Sequence, residues 1–246
     1  MRRYRPLIAV ALLVFLIVAI TRLPARWAIA ALPKAVQCTN PAGTLWNGRC
    51  EQLVLPAAGT LSLQWHLHPA QLLRGHLAAD VAASSPAGTA TGVVAMSAGG
   101  RTELADVQAD VQLDPALTGR ALRGASGRVR ASLPRLVLRG RTVEAIQGHL
   151  EIRQLVQSIA GPPLALGDFA VDFPASAQGE PVGQIRDLGG PVALEGTVRL
   201  TREPGYVVDG RIGTRSGAPA GLDQQLQILG PADAQGRRPF SVAGTY

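Results

Sequence analysis

The sequence predicts a mainly β protein in which a single N-terminal transmembrane helix is followed by a twisted or curved antiparallel β-meander with one or two short helices. Three observations predict this fold. One continuous apolar run lies near the N-terminus. Beyond residue 43, apolar and polar residues alternate, as in strands with one buried face, and such strands belong to antiparallel sheets. Glycine- and proline-containing turn signals separate these segments.

The composition of the 246 residues excludes several other classes of protein. With 47% hydrophobic and 17% charged residues, the chain is not disordered throughout, and its single long apolar run excludes a polytopic membrane protein. Five of the 24 basic residues are arginines within the first 26 positions, which contain no acid, so 19 basic and 17 acidic residues remain beyond them. Because the folded part is nearly neutral and aromatics make up only 4%, no nucleic-acid partner is expected.

Residues 1–6 are predicted to be a cytoplasmic tail and residues 7–27 a transmembrane signal anchor. Leu7–Ile20 contains no polar side chain, and its flanks extend it to the roughly 20 residues that span a bilayer. The arginines of the tail place it in the cytoplasm and everything after the span in the periplasm. A cleaved signal peptide is the alternative, because Ala28-Ile29-Ala30 has the form of a cleavage site. That site lies about ten residues past the apolar run, which favours an uncleaved anchor.

Residues 28–42 are predicted to be a juxtamembrane segment and residues 43–246 a single periplasmic β-rich domain. Cys38 and Cys50 are the two cysteines of the chain. In an oxidising compartment they predict a disulfide, which would add about 3 kcal/mol in the chain-entropy model. Two free buried thiols are the alternative. A metal site is disfavoured because no histidine lies near either cysteine in the sequence.

Within the β-rich domain, the first clear strand is 61–67, where Leu61, Leu63, Trp65 and Leu67 alternate with polar residues. This pattern predicts that Trp65 belongs to the core. Trp46 lies beside a turn, and the pattern does not indicate whether its side chain is buried or exposed. The other clear alternating segments are 106–113, 128–133, 168–173 and 197–200.

Glycines, prolines and helical spacings predict the connections. Turn signals occur at Asn47-Gly48, Ala98-Gly99-Gly100, Arg139-Gly140, Gly189-Gly190-Pro191 and Pro204-Gly205. Strands are expected to start near Gly75, Gly127, Gly148 and Gly196. One short helix is expected over 117–122, after Asp114-Pro115, and a second over 222–229, ending at Gly230.

No catalytic constellation is recognisable in the sequence. His66 and His68 share a strand face, but no further ligand at suitable spacing joins them, so a solvated polar face is the better interpretation. Asp168 and Asp172 share a face in the same way. Nucleophile, phosphate-binding and zinc-protease motifs are all missing from the sequence. We therefore expect no enzyme activity, no cofactor and no metal.

Several segments together resemble a known family. Gly43-Thr44-Leu45-Trp46-Asn47-Gly48, followed by Leu61–Pro69 and Leu72–Gly75, resembles the G-T-x-W-x-G and L-x-W-x-L-x-P-x-x-L-L-x-G patterns of type II secretion system protein N. Gly189-Gly190-Pro191 and later glycine-containing pieces also fit. The residues matched as structural are Gly43, Thr44, Trp46, Gly48, Trp65, Pro69, Leu72, Leu73, Gly75, Gly189, Gly190, Gly196, Gly230 and Gly236.

The resemblance implies a single-span protein of the bacterial inner membrane, with the bulk of its chain in the periplasm. It implies an accessory role in moving folded periplasmic proteins through an outer-membrane secretin. The expected partners are inner-membrane platform components and the secretin. The same family is similar to AsmA-type periplasmic proteins, whose curved sheets form apolar grooves, so lipid handling is a second hypothesis. A generic anchored scaffold is the third.

Overall fold

The computed structural model describes residues 15, 18–19, 21–26, 29, 37–55, 59–72, 75–113, 124–158, 163–175, 179–219 and 221–245. They belong to two compact units, Met1–Ser85 and Pro86–Tyr246. The predicted tail and most of the predicted anchor lie outside the described residues. Among the residues described, no helix is long and apolar enough to cross a membrane.

The first unit is an antiparallel meander. Its strands are β1 (Gln37–Gly43), β2 (Asn47–Leu55), β3 (Gly59–Leu67) and β4 (His76–Ser85), with the short helix α1 (Pro69–Leu72) between the last two. Each strand pairs with the next one along the chain. The first strand begins at Gln37, ahead of the point where the alternating pattern starts. Because β1 is polar and contains Pro41, it carries no period-two signal.

The second unit is also an antiparallel meander, with strands of 6 to 16 residues. They are β5 (Gly88–Ser97), β6 (Arg101–Leu113), β7 (Ala125–Arg139), β8 (Thr142–Gln157), β9 (Leu164–Phe173), β10 (Val182–Asp187), β11 (Val192–Thr201), β12 (Gly205–Thr214) and β13 (Arg238–Thr245). Consecutive strands pair antiparallel. Helix α2 (Leu222–Leu226) and a 3₁₀ turn (Gln227–Leu229) precede β13. The predicted antiparallel meander with short helices is therefore confirmed.

The register of the second unit separates a polar face from an apolar one. Residues paired directly across strands share a face. One such row crosses β6 to β12 as Asp110, Arg130, Glu151, Ala170, Arg186, Glu195 and Arg211. The neighbouring positions on the opposite face form a half-buried apolar row: Ala109, Ala131, Leu150, Val171 and Ile185. At one end of the apolar face, Leu222 of α2 packs in a core cluster with Phe169 and Val192.

The predicted connections are mostly confirmed. The turn signals at 98–100, 139–140, 189–191 and 204–205 all lie between strands or at a strand's end. The helix predicted over 222–229 is present, whereas the one over 117–122 lies outside the described residues. The strand starts predicted near Gly148 and Gly196 are wrong, because those strands begin at Thr142 and Val192.

Gly148 shows why a glycine in this sequence does not reliably predict the start of a strand. Its φ is +141°, and a Cβ at this position would lie 2.2 Å from the carbonyl oxygen of Ser132. The pairing of β7 with β8 shifts register at this point, because Ser132 is opposite His149 and Arg135 is opposite Gln147. Gly148 therefore marks a bulge and a close backbone approach within a strand, not the start of one.

Candidate functional site

The connection between β1 and β2 is a tight turn with its own hydrogen bonds. The Thr44 N–H donates to the Asn47 carbonyl at 2.9 Å, and the Asn47 N–H donates to Thr44 Oγ1 at 3.1 Å. Gly43 has φ +89°, and a Cβ there would lie 2.4 Å from the Asn47 oxygen. Glycine is therefore required at the first position of this turn.

Trp65 of β3 packs directly on this turn. Its indole Nε1 donates to the Leu45 carbonyl at 3.0 Å, so the one polar atom of the ring is satisfied. Only 9% of the residue is exposed, which confirms the prediction that Trp65 is a core residue. A Cβ at Gly48 would lie 2.3 Å from Trp65 Cζ2, so the ring occupies the space that any side chain at position 48 would need.

The same turn holds the segment that arrives from the N-terminus. The Leu45 N–H donates to the Leu23 carbonyl at 2.7 Å, and the Ala25 N–H donates to the Gly43 carbonyl at 3.2 Å. Pro24 forms an isolated antiparallel bridge with Thr44 between these two bonds. We call Leu23–Ala25, Gly43–Gly48 and Trp65 together the attachment site.

Three residues of the attachment site, Ala25, Gly48 and Trp65, are buried. Ala25 is 2% exposed and packs in one cluster with Leu53 and Trp65. Cys50 belongs to the same cluster, is 1% exposed, and forms a disulfide with Cys38 of β1. The bond thus ties the two strands that flank the 43–48 turn. The attachment site contains no ionisable side chain, so what it provides is a mechanical connection between a short N-terminal segment and a sheet.

The remaining motif residues of the first unit shape the connection between β3 and β4. Pro69 and Leu72 begin and end α1, and the Gly75 N–H donates to the Leu72 carbonyl at 3.0 Å. Leu73 lies outside the described residues. Trp46 is half-buried, and its carbonyl accepts the Leu67 N–H at 2.7 Å. Of the motif residues predicted in this unit, Gly43, Thr44, Trp46, Gly48 and Trp65 come together.

In the second unit, Gly189 and Gly190 form the turn between β10 and β11, and Asp187 holds that turn in place. Asp187 Oδ1 accepts the Gly189 N–H at 3.2 Å and an Arg215 guanidinium nitrogen at 2.5 Å, while its Oδ2 accepts the Leu194 N–H at 3.1 Å. Arg215 also donates to the Gly190 carbonyl at 3.3 Å. Asp187 and Arg215 were not predicted from the sequence, because they lie 28 positions apart and form no local motif.

These contacts determine the direction in which the pKa of Asp187 is shifted. Burial acts to raise the pKa of its carboxyl group, but the hydrogen bonds from Arg215 and from the Leu194 N–H outweigh burial and hold the pKa below the ordinary value. A second such carboxylate is Asp233, whose pKa is lowered chiefly by the Arg237 backbone N–H. Gly236 lies in the turn that Asp233 closes.

The other motif glycines of the second unit are dispersed. Gly196 lies within β11, opposite Gly210 of β12, and Gly230 ends the 3₁₀ turn. They do not gather around one site. The glycine-containing pattern of this unit thus describes turns and close strand contacts, and it does not describe a pocket.

The polar face of the second unit carries a ladder of ion pairs. Arg128 and Arg130 both contact Asp110, and the hydrogen bond from Arg128 lowers the pKa of Asp110. His149 Nδ1 lies 2.6 Å from Asp172 Oδ1, and this contact lowers the pKa of Asp172. A shallow depression of about 370 Å³ lies along Gln108, Asp110, Arg130, Ser132, His149 and Glu151.

The histidines considered as metal ligands lie in the first unit. The rings of His66 and His68 are 5.4 Å apart, and His68 Nε2 contacts Asp80 at 3.0 Å. No group of three or more His, Cys, Asp or Glu side chains suitable for a metal occurs among the described residues. His66 is exposed and the His68 side chain is 38% exposed, so both rings face solvent at the end of β3.

Comparison with known proteins gives two findings. A family model described as type II secretion system (T2SS), protein N matches residues 34–241. The chain is also similar to the type II secretion system protein N of Vibrio cholerae serotype O1, with 26% identity over 237 residues that cover 92% of each chain. No solved structure matches.

Proposed function

Because the chain belongs to the type II secretion system protein N family, and is thereby a component of that system, we propose that it is an inner-membrane-anchored periplasmic protein of the secretion machine. In this role it assists the transport of folded periplasmic proteins across the outer membrane. It acts through contacts with inner-membrane platform components and the secretin, and it carries out no catalysis and uses no cofactor.

The attachment site is the observation that supports this proposal. A membrane-anchored part of a machine must transmit position and force between its span and its folded domain. Leu23–Ala25 are separated from the apolar run only by Thr21 and Arg22, and they are fixed to the 43–48 turn by two backbone hydrogen bonds and a buried alanine. In the proposed arrangement the span ends before Leu23, earlier than the bound at residue 27 expected from the sequence, because Leu23–Ala25 pair with the 43–48 turn. The exposed side chains of Arg22 and Arg26 flank this segment and suit the membrane–water boundary.

The anchor and its orientation can be tested directly. Periplasm-specific reporters fused after Gly48 should be active, and the mature protein should begin at residue 1 or 2. A mature N-terminus at Ala31 would contradict the anchor, because the signal would then have been cleaved.

The secretion role needs a test of its own. Deleting the gene should reduce release of secreted enzymes while their export to the periplasm continues. Restoring the chain with Gly48→Ala should rescue secretion poorly, because the added methyl group collides with Trp65. Gly99→Ala is the matched control, since the nearest atom to its Cβ is 4.0 Å away. Normal secretion without the gene would refute the role.

A lipid-handling function is the second candidate, and one observation favours it. Along the apolar face of the second unit, residues such as Val111, Val129 and Ile152 are only partly buried. A carrier would leave such a surface open for acyl chains. Lipid purifying one to one with the protein, together with normal enzyme secretion in the deletion strain, would favour this candidate over the first.

A further inference from the structure

The positive charge that follows the apolar run is concentrated beside the attachment site. Between residues 21 and 55 the sequence contains four basic residues and one acidic residue, Glu51. Of the 24 basic and 17 acidic residues of the chain, 17 and 16 lie beyond residue 55, where they nearly cancel. The segment that joins the apolar run to the first strands therefore carries a local excess of positive charge.

The described arginines of this segment are Arg22, Arg26 and Arg49, and they differ from most arginines of the second unit. All three are exposed, and none forms an ion pair with another described residue, Glu51 included. In the second unit, by contrast, twelve arginines form ion pairs with carboxylates. An exposed guanidinium without a carboxylate is available to an external anion, and its planar fork matches the geometry of a phosphate group.

Arg49 lies on the rim of a depression next to the 43–48 turn. The depression has a volume of about 390 Å³ and is lined by Ala42, Gly43, Asn47, Gly48, Arg49 and Gln64. We call these residues the basic depression. Arg49 is directly opposite Gln64 of β3, and Asn47 is two positions earlier on the same face of β2. Because all three residues are exposed, the basic depression offers one guanidinium and two side-chain amides as hydrogen-bond donors.

The basic depression is held close to the end of the apolar run. Its residue Gly43 accepts the Ala25 N–H at 3.2 Å, and the neighbouring Leu45 donates to the Leu23 carbonyl at 2.7 Å. Leu23 is three positions after Ile20, so their Cα atoms are at most about 11 Å apart. The headgroup layer on each side of a bilayer is roughly 5–8 Å thick. A span that ends before Leu23 therefore brings the basic depression to the border of this layer.

We propose that the basic depression binds the phosphate group of an anionic membrane phospholipid, with Arg49 as its direct ligand. This inference rests on the proposed function, because it requires a membrane span that ends before Leu23. Asn47 and Gln64 donate to the remaining phosphate oxygens, and the arginines on either side of Leu23–Ala25 add positive charge at the membrane boundary. The bound lipid fixes which side of the first unit faces the membrane.

Native mass spectrometry of the full chain in mild detergent tests this proposal, because one spectrum gives both the number of bound lipids and the mass of the protein. The probes are dioleoylphosphatidylglycerol and dioleoylglycerol, which share their acyl chains but differ in the phosphate. Arg49→Gln should weaken binding of the first phosphatidylglycerol about fivefold, as expected for one arginine at a membrane surface. Dioleoylglycerol should bind the wild type and the variant equally.

Arg202→Gln is the matched control for Arg49→Gln. Arg202 is also exposed, forms no ion pair with a described residue and lines no part of the basic depression, so its replacement makes the same change of charge elsewhere. This variant should bind phosphatidylglycerol as the wild type does. Equal weakening by the two substitutions would overturn the proposal, because general charge attraction would then explain the binding. Displacement of the lipid by equimolar inorganic phosphate would also overturn it, since a free anion would then be the ligand.

The protein mass separates this proposal from the proposed function. If the protein retains residues 1–30 but Arg49→Gln has no effect on lipid binding, the lipid site is refuted and the anchor is not. A mass that begins at Ala31 would refute both, because no span would hold the basic depression at the membrane. Since Arg49 is exposed, its replacement should leave the thermal midpoint unchanged, which shows that any loss of lipid binding is not a loss of fold.

Discussion

The attachment site in the first unit and the polar ladder in the second unit are stabilised in opposite ways. Ala25 and Trp65 of the attachment site are almost fully buried, as is Cys50 in the same core cluster, and the attachment site contains no ionisable group. In the ladder, Arg128 and Arg130 contact Asp110 while 58% and 57% of their side chains are exposed. Both regions contain many contacts, but the contacts differ in whether water competes for them.

This difference in exposure to water determines how much each kind of contact contributes to the free energy of unfolding. Removing a large buried side chain costs several kcal/mol, because apolar contacts are lost and a cavity remains. An exposed ion pair contributes about 0–1 kcal/mol, because water solvates both charges when they separate. A segment that must stay fixed to a sheet therefore needs the first kind of contact, whereas the second kind keeps a broad polar face soluble. Substitutions should accordingly be most costly at the attachment site and least costly in the ladder.

The largest effect on stability is expected at Trp65, whose indole ring packs on the 43–48 turn. Trp65→Ala should lower the free energy of unfolding by about 3–5 kcal/mol, as for other buried aromatic residues. The change also leaves the Leu45 carbonyl without its indole donor. Chemical denaturation followed by circular dichroism measures the loss.

Trp65→Phe is the matched control for that change. It retains an aromatic ring but removes the Nε1 donor, so its cost should be smaller than that of the alanine variant. A cost below about 1 kcal/mol for Trp65→Ala would contradict a buried, tightly packed ring at this position.

The next effect concerns the disulfide between Cys38 and Cys50. Replacing both cysteines with serine should lower stability by about 3 kcal/mol, because the unfolded chain regains the freedom of the short closed loop. The fold itself should persist, since most strands lie beyond residue 60. Mass spectrometry without reduction should show one intramolecular bond, and two thiols that alkylate freely in the native protein would refute it.

A smaller effect is expected at Asp187, the carboxylate that holds the turn between β10 and β11. Asp187→Asn should cost about 1.5–3 kcal/mol, since it weakens the charge-assisted bond from Arg215. Arg215→Gln, which removes the other partner of the same bond, serves as a companion variant.

The pH dependence at Asp187 has a definite sign. Because its pKa in the folded protein is lowered, its contribution is present above the pKa of the unfolded chain and is lost as the pH falls through the folded value. Denaturation curves between about pH 7 and pH 3 should show a steeper loss for the wild type than for Asp187→Asn. Parallel curves would contradict the role of the charge.

The sequence predicted the strands and turns better than it predicted the side-chain and backbone contacts that stabilise them. The alternation of apolar and polar residues predicted β3 and β6, because one face of each strand is more exposed to solvent than the other. Trp65 lies among the apolar positions of β3, so it was predicted as a core residue for the same reason. β1 was not recognisable, because its polar residues and Pro41 carry no alternation. The bulge at Gly148 resembled a strand start, because glycine serves in both places.

The attachment site was only partly predictable. Its turn residues form a local pattern, which is why Gly43, Thr44, Trp46 and Gly48 were singled out. The partner segment, Leu23–Ala25, lies about twenty residues earlier and pairs through backbone groups that every residue possesses. Asp187 and Arg215 were missed on similar grounds, because contacts across strands depend on register, which the sequence specifies only once the whole sheet is paired.

The smallest effect is expected in the polar ladder, and it tests the comparison most sharply. Arg130→Gln removes one of two guanidinium groups on Asp110, and Arg128 remains in contact at the same carboxylate. Both arginines are more than half exposed, so the free energy of unfolding should change less than in any variant above, and the change should shrink further in high salt. Arg128→Gln combined with Arg130→Gln should cost somewhat more, because Asp110 then loses both partners. Urea denaturation at low and high salt measures these differences. The contrast between the two regions would fail if Arg130→Gln lowered the free energy of unfolding as much as Asp187→Asn and did so equally in high salt. The exposed ion pairs of the ladder would then stabilise the sheet as strongly as burial stabilises the attachment site.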